Sequence, residues 1–190
     1  LHPAPTHPHP ALADPGGPIR EGRHHGRLVV YGTVLWEARR MWAAGEIDYR
    51  QFMEMVAASS TSWGHCSTMG TALSMNSLVE AAGMSLTGCA AIPGPHRERA
   101  QMAYWSGRRI VEMVRQNLTP SAIMTRKAFE NAVAVASAIG ASSNCPPHMI
   151  AIARHMGVEH DLEDWQRVGA DIPLLVDCQP AGRFLGEGFH

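Results

Sequence analysis

The feature that most constrains this chain is a series of helix-length apolar patterns, each bracketed by its own start and stop signals. Val34, Leu35, Ala38, Met41 and Trp42 recur at helical spacing, and Gly45 suits the residue after a helix end. Asp48 caps a second helix, Tyr49 to about Ala58, with Phe52, Met55 and Val56 on one face. A third runs from about Thr68 to Ala82 and stops at Gly83. The spacing predicts a long amphipathic helix over 97–117, ended before Pro120. Thr125 caps the next, Arg126 to Ile139, closed by Gly140. Pro146-Pro147 opens another to about Met156. Asp161 caps a short one through Val168. Strands are few. Ala90-Ala91-Ile92 reads as a short one, Ile172–Asp177 as a buried one, and Pro180-Ala181-Gly182 as a turn. The fold class is therefore α/β and helix-rich, and no repeat is present.

At 190 residues the chain is long enough for one domain with a real core. Residues 1–15 stand apart. They are rich in Pro and His, and proline removes backbone donors, so a disordered tail is expected there, with residues 16–190 as the folded part. His2, His7 and His9 offer only loose metal binding. Lys+Arg 16 against Asp+Glu 17 gives a net charge of −1, and no basic stripe is interleaved with aromatics. Nucleic acid is not an expected partner. No apolar run approaches a membrane span, and the start lacks the pattern of a secretory signal. Four cysteines are too sparse for a disulfide scaffold, which points to a reducing, cytoplasmic compartment. The first residue is Leu1 rather than Met, which hints at a cut or processed start.

The densest chemical signal is Gly64-His65-Cys66-Ser67-Thr68-Met69-Gly70-Thr71-Ala72. It places a cysteine in a glycine-flanked loop at the start of a helix. Unpaired N–H groups and partial positive charge at a helix N-terminus favour thiolate, the form that ligates iron or attacks electrophiles. The plain alternative is a small residue packing under the loop.

This stretch resembles the G-x-C-x-T-M-G-T-A signature of the dihydroxy-acid / sugar-acid dehydratase family, which includes phosphogluconate, arabonate and xylonate dehydratases. Further similar blocks follow in order. They are Ser74-Met75, Glu80-Ala81-Ala82-Gly83-Met84-Ser85-Leu86-Thr87-Gly88, Gly107-Arg108-Arg109-Ile110-Val111-Glu112-Met113-Val114, Leu118-Thr119-Pro120-Ser121, Thr125-Arg126-Lys127-Ala128-Phe129-Glu130-Asn131-Ala132, Ser142-Ser143-Asn144 and Pro180-Ala181-Gly182-Arg183-Phe184-Leu185. The likeness runs from about Gly16 to His190, and Leu1–Pro15 falls outside it.

The resemblance implies part of the N-terminal domain of a two-domain iron–sulfur dehydratase. It implies a [2Fe–2S] cluster on three cysteines, a nearby Mg²⁺, and loss of water from a 2,3-dihydroxy acid to give a 2-keto acid. Three thiolates leave one iron position open to act as a Lewis acid on the leaving hydroxyl, while Mg²⁺ takes hard oxygens. Cys66 matches the third cluster cysteine. The other two, and the Cys-Asp-Lys element that supplies magnesium ligands, lie upstream in the family; here no cysteine and no lysine precedes Cys66. The family's serine base and late glutamate ligand lie beyond His190. The Mg²⁺ ligands are thus expected outside this chain, and these 190 residues alone are expected to be inactive.

His65 could tune the cluster from beside Cys66, with solvent exposure as the alternative. Ser143 and Asn144 are expected as polar groups near substrate or cluster loop. Cys89, Cys145 and Cys178 are expected to be packing residues, although a Cys66–Cys89 metal pair stays open. His148 and His155 lie seven apart on one helix and read as structural. The run from Asn144 through Val158, with Pro146-Pro147-His148, resembles the sugar-acid branch, as does Leu185–His190. An aldonate is therefore the expected substrate, with the branched-chain dihydroxy acid as alternative. The resemblance also suggests homodimers or tetramers. The rival readings are a catalytically inactive remnant and a small thiol- or metal-binding module.

Overall fold

A computed structural model of the chain describes residues 8–189. Its elements run β1 (Gly22–His24), β2 (Arg27–Val29), α1 (Tyr31–Ala43), α2 (Tyr49–Ser59), α3 (Thr71–Ala81), α4 (Arg97–Gln116), α5 (Pro120–Ile123), α6 (Arg126–Ile139), α7 (Cys145–His155) and α8 (Leu162–Gly169), followed by a 3₁₀ turn at Gly186–Phe189. The helix boundaries follow the caps. Asp48 and Asp161 each close a reciprocal capping box, with Gln51 and Asp164. Asn117 and Gly140 end α4 and α6 in the left-handed conformation. α3 starts at Thr71 rather than Thr68, because Ser67 and Met69 are engaged elsewhere in the fold.

Two cores form. The larger joins α3, α6 and α7 through Leu78, Phe129, Ala132, Met149 and Ala153, each at most 1% exposed, with Trp165 of α8 against its edge. The smaller joins β2, α1 and α2 through Val29, Val34, Ala38 and Met55. Burying one Leu or Phe fully stabilises by about 1.5–3 kcal/mol, so the α3/α6/α7 layer is the principal anchor.

Strand content differs from expectation. Among the described residues the sheet is one antiparallel hairpin, β1–β2, with Gly22 opposite Val29 and His24 opposite Arg27. His25 and Gly26 turn it with positive φ at both positions, the geometry of a tight two-residue turn. The segment Ala90–Ile92 is a turn, not a strand. Its carbonyls and amides are taken by side chains: Glu80 accepts from Gly88 N–H and Ala90 N–H at 2.6 and 2.7 Å, and Arg99 donates to the carbonyls of Cys89 and Ile92. Ile172–Asp177 is not a buried strand either. It is extended without a ladder, Leu174 and Leu175 are 65% and 74% exposed, and Leu175 N–H bonds to the Ala138 carbonyl.

Of the expected tail, residues 1–7, with His2 and His7, lie outside the described residues, and residues 8–15 form an extended strap packed on the domain. Ala11 and Ala13 sit against the larger core, and Ala13 N–H bonds to the Met84 carbonyl at 2.7 Å. The physical reason is Arg99, 6% exposed, whose guanidinium needs acceptors. It finds the Pro15 carbonyl at 2.5 Å and the Asp14 carboxylate at 3.5 Å. Proline keeps the strap out of helix and sheet, as composition predicts, without keeping it off the domain.

Candidate functional site at the Cys66 loop

The loop from Gly64 to Gly70 is held on two sides by backbone. On one side Gly17–Ile19 runs beside it: His65 N–H bonds to the Gly17 carbonyl at 2.9 Å, Ile19 N–H to the His65 carbonyl at 2.8 Å, and the buried Ser67 hydroxyl to the Ile19 carbonyl at 2.5 Å. On the other side Met69 N–H bonds to the Gln179 carbonyl at 2.6 Å and Gly186 N–H to the Ser67 carbonyl at 2.7 Å. These ties join residues far apart in sequence, so the loop is pinned by the tertiary fold.

Gly64 makes this approach possible. Its φ is +136°, and a Cβ there would lie 2.7 Å from the backbone of Pro18 and Ile19.

Within this frame Cys66 is half-buried and a free thiol. Its Sγ lies 3.1 Å from Thr68 Oγ1. It also lies against the first turn of α1, where a Cβ on Gly32 would come within 2.9 Å of the sulfur. The helix start beside the sulfur is thus α1, brought by the tertiary fold, as well as α3 further along its own chain.

His65 turns away from the sulfur. Nδ1 contacts the Cys66 carbonyl at 2.9 Å and Nε2 contacts Asn76 Nδ2 at 2.7 Å. The neutral tautomer with hydrogen on Nδ1 satisfies both, donating to the carbonyl and accepting from the amide. Burial is the main force lowering its pKa below the ordinary imidazole value; the bond to the Cys66 carbonyl opposes this and the charge of Arg99 adds to it. His65 thus braces the loop from behind.

Asn144 reaches the start of α3: its Nδ2 donates to Thr71 Oγ1 at 2.8 Å. Thr71 Oγ1 also meets Ser142 Oγ at 3.3 Å, and Ser142 N–H bonds to Ser74 Oγ at 2.9 Å. The Ser142–Asn144 loop is therefore latched to the helix that follows Cys66. Thr71, Ser74 and Ser142 were not singled out from sequence; Thr71 lies inside the cysteine motif and Ser142 beside two chosen residues, which was the available signal. Ser143 is exposed and lines a hollow of about 260 Å³ with Ser137, Pro146 and Trp165.

The remaining thiols are buried. Burial is the main force raising the pKa of Cys89, Cys145 and Cys178. Cys89 Sγ sits 3.1 Å from Arg99 Nη1, so it serves that buried cation rather than pairing with Cys66. Cys178 packs with Met69 and Leu73. Among the described residues no three His, Cys, Asp or Glu side chains converge as a metal site. Cys66 fits a cluster as a single sulfur donor, and the described residues do not complete a cluster or a Mg²⁺ site.

The family described as dihydroxy-acid/6-phosphogluconate dehydratase, N-terminal, matches residues 2–190. The chain belongs to this family. The match extends through nearly all of the proline-rich start, which sequence reading alone had placed outside it. Among curated relatives, the D-xylonate dehydratase of Caulobacter vibrioides is 54% identical over 181 residues, covering 95% of this chain and 30% of that protein. The L-arabinonate dehydratase of Rhizobium leguminosarum bv. trifolii is 47% identical over 180 residues, 95% of this chain and 31% of that protein. The dihydroxy-acid dehydratase of Chloroflexus aggregans is 36% identical over 181 residues, 95% of this chain and 32% of that protein. The chain thus spans 30–32% of the length of these relatives. No helix among the described residues is long and apolar enough to cross a membrane.

Proposed function

We propose that the whole protein is a hydro-lyase that removes water from an aldonate, giving a 2-keto-3-deoxy acid. The observation that carries this reading is the graded identity over one span: 54% and 47% to relatives named for xylonate and arabinonate, against 36% to one named for a dihydroxy acid. The Pro146-Pro147-His148 start of α7 agrees with it. That helix begins at the loop whose Asn144 is latched to Thr71, next along the chain from the cysteine loop.

In this reading Cys66 supplies one sulfur ligand of a [2Fe–2S] cluster. The other sulfur ligands and the Mg²⁺ ligands come from outside the described residues. Such a cluster would supply an open iron position as a Lewis acid for the leaving hydroxyl. The residues of this chain do the holding. Thr68 Oγ1 contacts the sulfur, and its hydroxyl donates to a thiolate. Ser67 and His65 fix the backbone on either side of Cys66. Asn144 and Thr71 bring an amide and a hydroxyl to the start of α3. Four free thiols agree with a reducing, cytoplasmic setting. The partners proposed are a small sugar acid and further copies of the same chain, as a dimer or tetramer.

The test is a direct competition. The full-length protein is assayed with pentonates and with dihydroxy-isovalerate, following 2-keto acid formation. A higher kcat/KM for a pentonate is expected. A clear preference for the branched-chain substrate overturns the assignment.

A further inference from the structure

The turn at Gly186–Phe189 is tied to the cysteine loop without belonging to it, and one carboxylate does much of the tying. The Glu187 side chain is mostly buried, with 20% of its surface exposed. Its Oε2 accepts from the Glu21 N–H at 2.6 Å. Its Oε1 lies 3.4 Å from Nε2 of His96, the N-cap of α4, and 3.9 Å from Arg20 Nε. The exposed Arg20 contributes little at that distance. The short bond from a backbone N–H to an ionised carboxylate is the strong contact.

These bonds close a ring on Ser67. The Ser67 hydroxyl donates to the Ile19 carbonyl at 2.5 Å, and the Ser67 carbonyl accepts from the Gly186 N–H at 2.7 Å. Ile19 precedes Glu21 by two residues, and Gly186 adjoins Glu187. Glu187 therefore joins the two segments that grip Ser67, the residue after Cys66. Close packing sets the register of the second grip. A Cβ on Gly186 would lie 2.6 Å from Leu73 Cδ2 and 3.1 Å from the Ser67 carbonyl oxygen. The first grip has anchors of its own. Thr61 Oγ1 donates to the Arg20 carbonyl at 2.7 Å, the Arg20 N–H bonds to Ser62 Oγ at 3.0 Å, and the Gly94 N–H bonds to the Pro18 carbonyl at 2.8 Å. Removing the Glu187 carboxylate thus leaves residues 17–21 in place and loosens the turn.

We propose that Glu187 is a positioning residue for Cys66. Its carboxylate locks the 186–189 turn to residues 20–21 and to the start of α4, and so fixes the Ser67 backbone that sets the direction of the neighbouring sulfur. The inference rests on the reading of Cys66 as a cluster ligand. A cluster needs fixed sulfur donors, and a loop gripped from one side only would let this one swing. Two other roles fit the geometry less well. A carboxylate kept for a cation would leave an oxygen free for it, whereas each Glu187 oxygen already faces a donor. A plain surface ion pair would lack the backbone bond and the burial.

The experiment uses the full-length protein with Glu187→Ala, Glu187→Gln and Cys66→Ser. After removal of iron, alkylation of Cys66 and of the buried Cys145 by iodoacetamide is followed by peptide mass spectrometry. Glu187→Ala should speed alkylation of Cys66 about tenfold, as a locally opened segment does, and leave Cys145 protected. Glu187→Gln keeps an acceptor for the Glu21 N–H and should restore most of the protection. With the cluster rebuilt, Glu187→Ala should alter its visible circular dichroism, which reports ligand geometry. Wild-type alkylation of Cys66 in Glu187→Ala overturns the proposal and leaves the ligand reading intact. A parallel rise at Cys145 means general loosening and overturns it as well. A normal cluster in Cys66→Ser instead overturns the ligand reading, while alkylation still decides whether Glu187 holds the loop.

Discussion

Cys66 differs from the other three cysteines in what surrounds its sulfur. Cys89, Cys145 and Cys178 are at most 7% exposed, whereas Cys66 is half-open, with a hydroxyl 3.1 Å away. In the full-length protein, Cys66→Ser should bleach the iron–sulfur absorbance and abolish activity. Cys89→Ser and Cys178→Ser should retain the absorbance, although each buries a hydroxyl and should lower Tm. A normal spectrum from Cys66→Ser refutes the ligand assignment. At this scale the sequence was informative about the sulfur and poor about its neighbours. Cys66 stood out because motif and loop composition are local. The Thr71–Ser142–Asn144 latch was not legible, because it joins residues some seventy positions apart and leaves no periodic trace. His65 adjoins Cys66 in sequence, but its ring could not be read as facing Asn76 until α3 was in place.

Elements follow their punctuation. Asp161 caps α8 by accepting from Asp164 N–H at 3.1 Å, and Asp161→Ala should cost about 1 kcal/mol, seen as a fall of a few degrees in Tm. Gly64 offers a sharper test of how the cysteine loop is held. Gly64→Ala drives a Cβ into the backbone of Pro18 and Ile19, whereas Gly157→Ala, also at positive φ, meets open space. Both pay roughly 1 kcal/mol or more for the left-handed backbone. The Gly64 variant should also lose most of its cluster absorbance while the Gly157 variant keeps it. Equal retention would show that the strap at Gly17–Ile19 does not set the loop. The same contrast explains why helices were legible and strands were not. Caps and apolar period are written within a few residues, so seven of the eight described helices fell close to their expected ends; α5, a single turn at Pro120–Ile123, was not expected. A strand exists only with a partner, and Ile172–Asp177, apolar enough for a buried one, has no described edge to join. The hairpin β1–β2 went unread because its strands have three residues each, too few for alternation to show.

At the scale of the whole molecule, pH reaches the fold through groups buried between helices. The His160 side chain is fully enclosed, with Phe129 of α6 at 5.4 Å, Trp165 of α8 at 6.2 Å and the Asp164 carboxylate at 3.3 Å. Burial is the main force lowering its pKa; Asp164 opposes this and Arg126 adds to it. A lowered imidazole pKa means that the unfolded chain takes up the proton first. Its contribution is full above the ordinary value of 6.5 and is lost as pH falls below that, towards the folded-state value. His65 acts in the same direction. Asp164 behaves differently. Burial alone would raise its pKa, but Arg167, the Asp161 N–H and Arg126 outweigh that and hold it at about 2. Its contribution is present above 3.8 and disappears only in stronger acid. Between pH 7.5 and 5.5 the loss of Tm should therefore come from histidine, and His160→Phe should flatten it. An unchanged slope in that variant removes His160 from the account.

Assembly sets the last limit. A [2Fe–2S] cluster is held by several fixed sulfur or nitrogen ligands, and among the described residues Cys66 has no two further donors converging on it. Mg²⁺ needs oxygen ligands near octahedral geometry, and no such group gathers there either. Tyr104 and Val111 on α4 and the side chains of Leu174 and Leu175 leave large apolar groups exposed, which favours non-specific association of the chain alone. The 190-residue chain, expressed alone and reconstituted with iron and sulfide, should show well under one cluster per chain in its visible spectrum and yield no 2-keto acid from a pentonate. It should also aggregate more readily than the full-length protein. A stoichiometric cluster with turnover would mean that Cys66 is completed from within these residues, and the ligand assignment would have to be rebuilt around a different set of side chains.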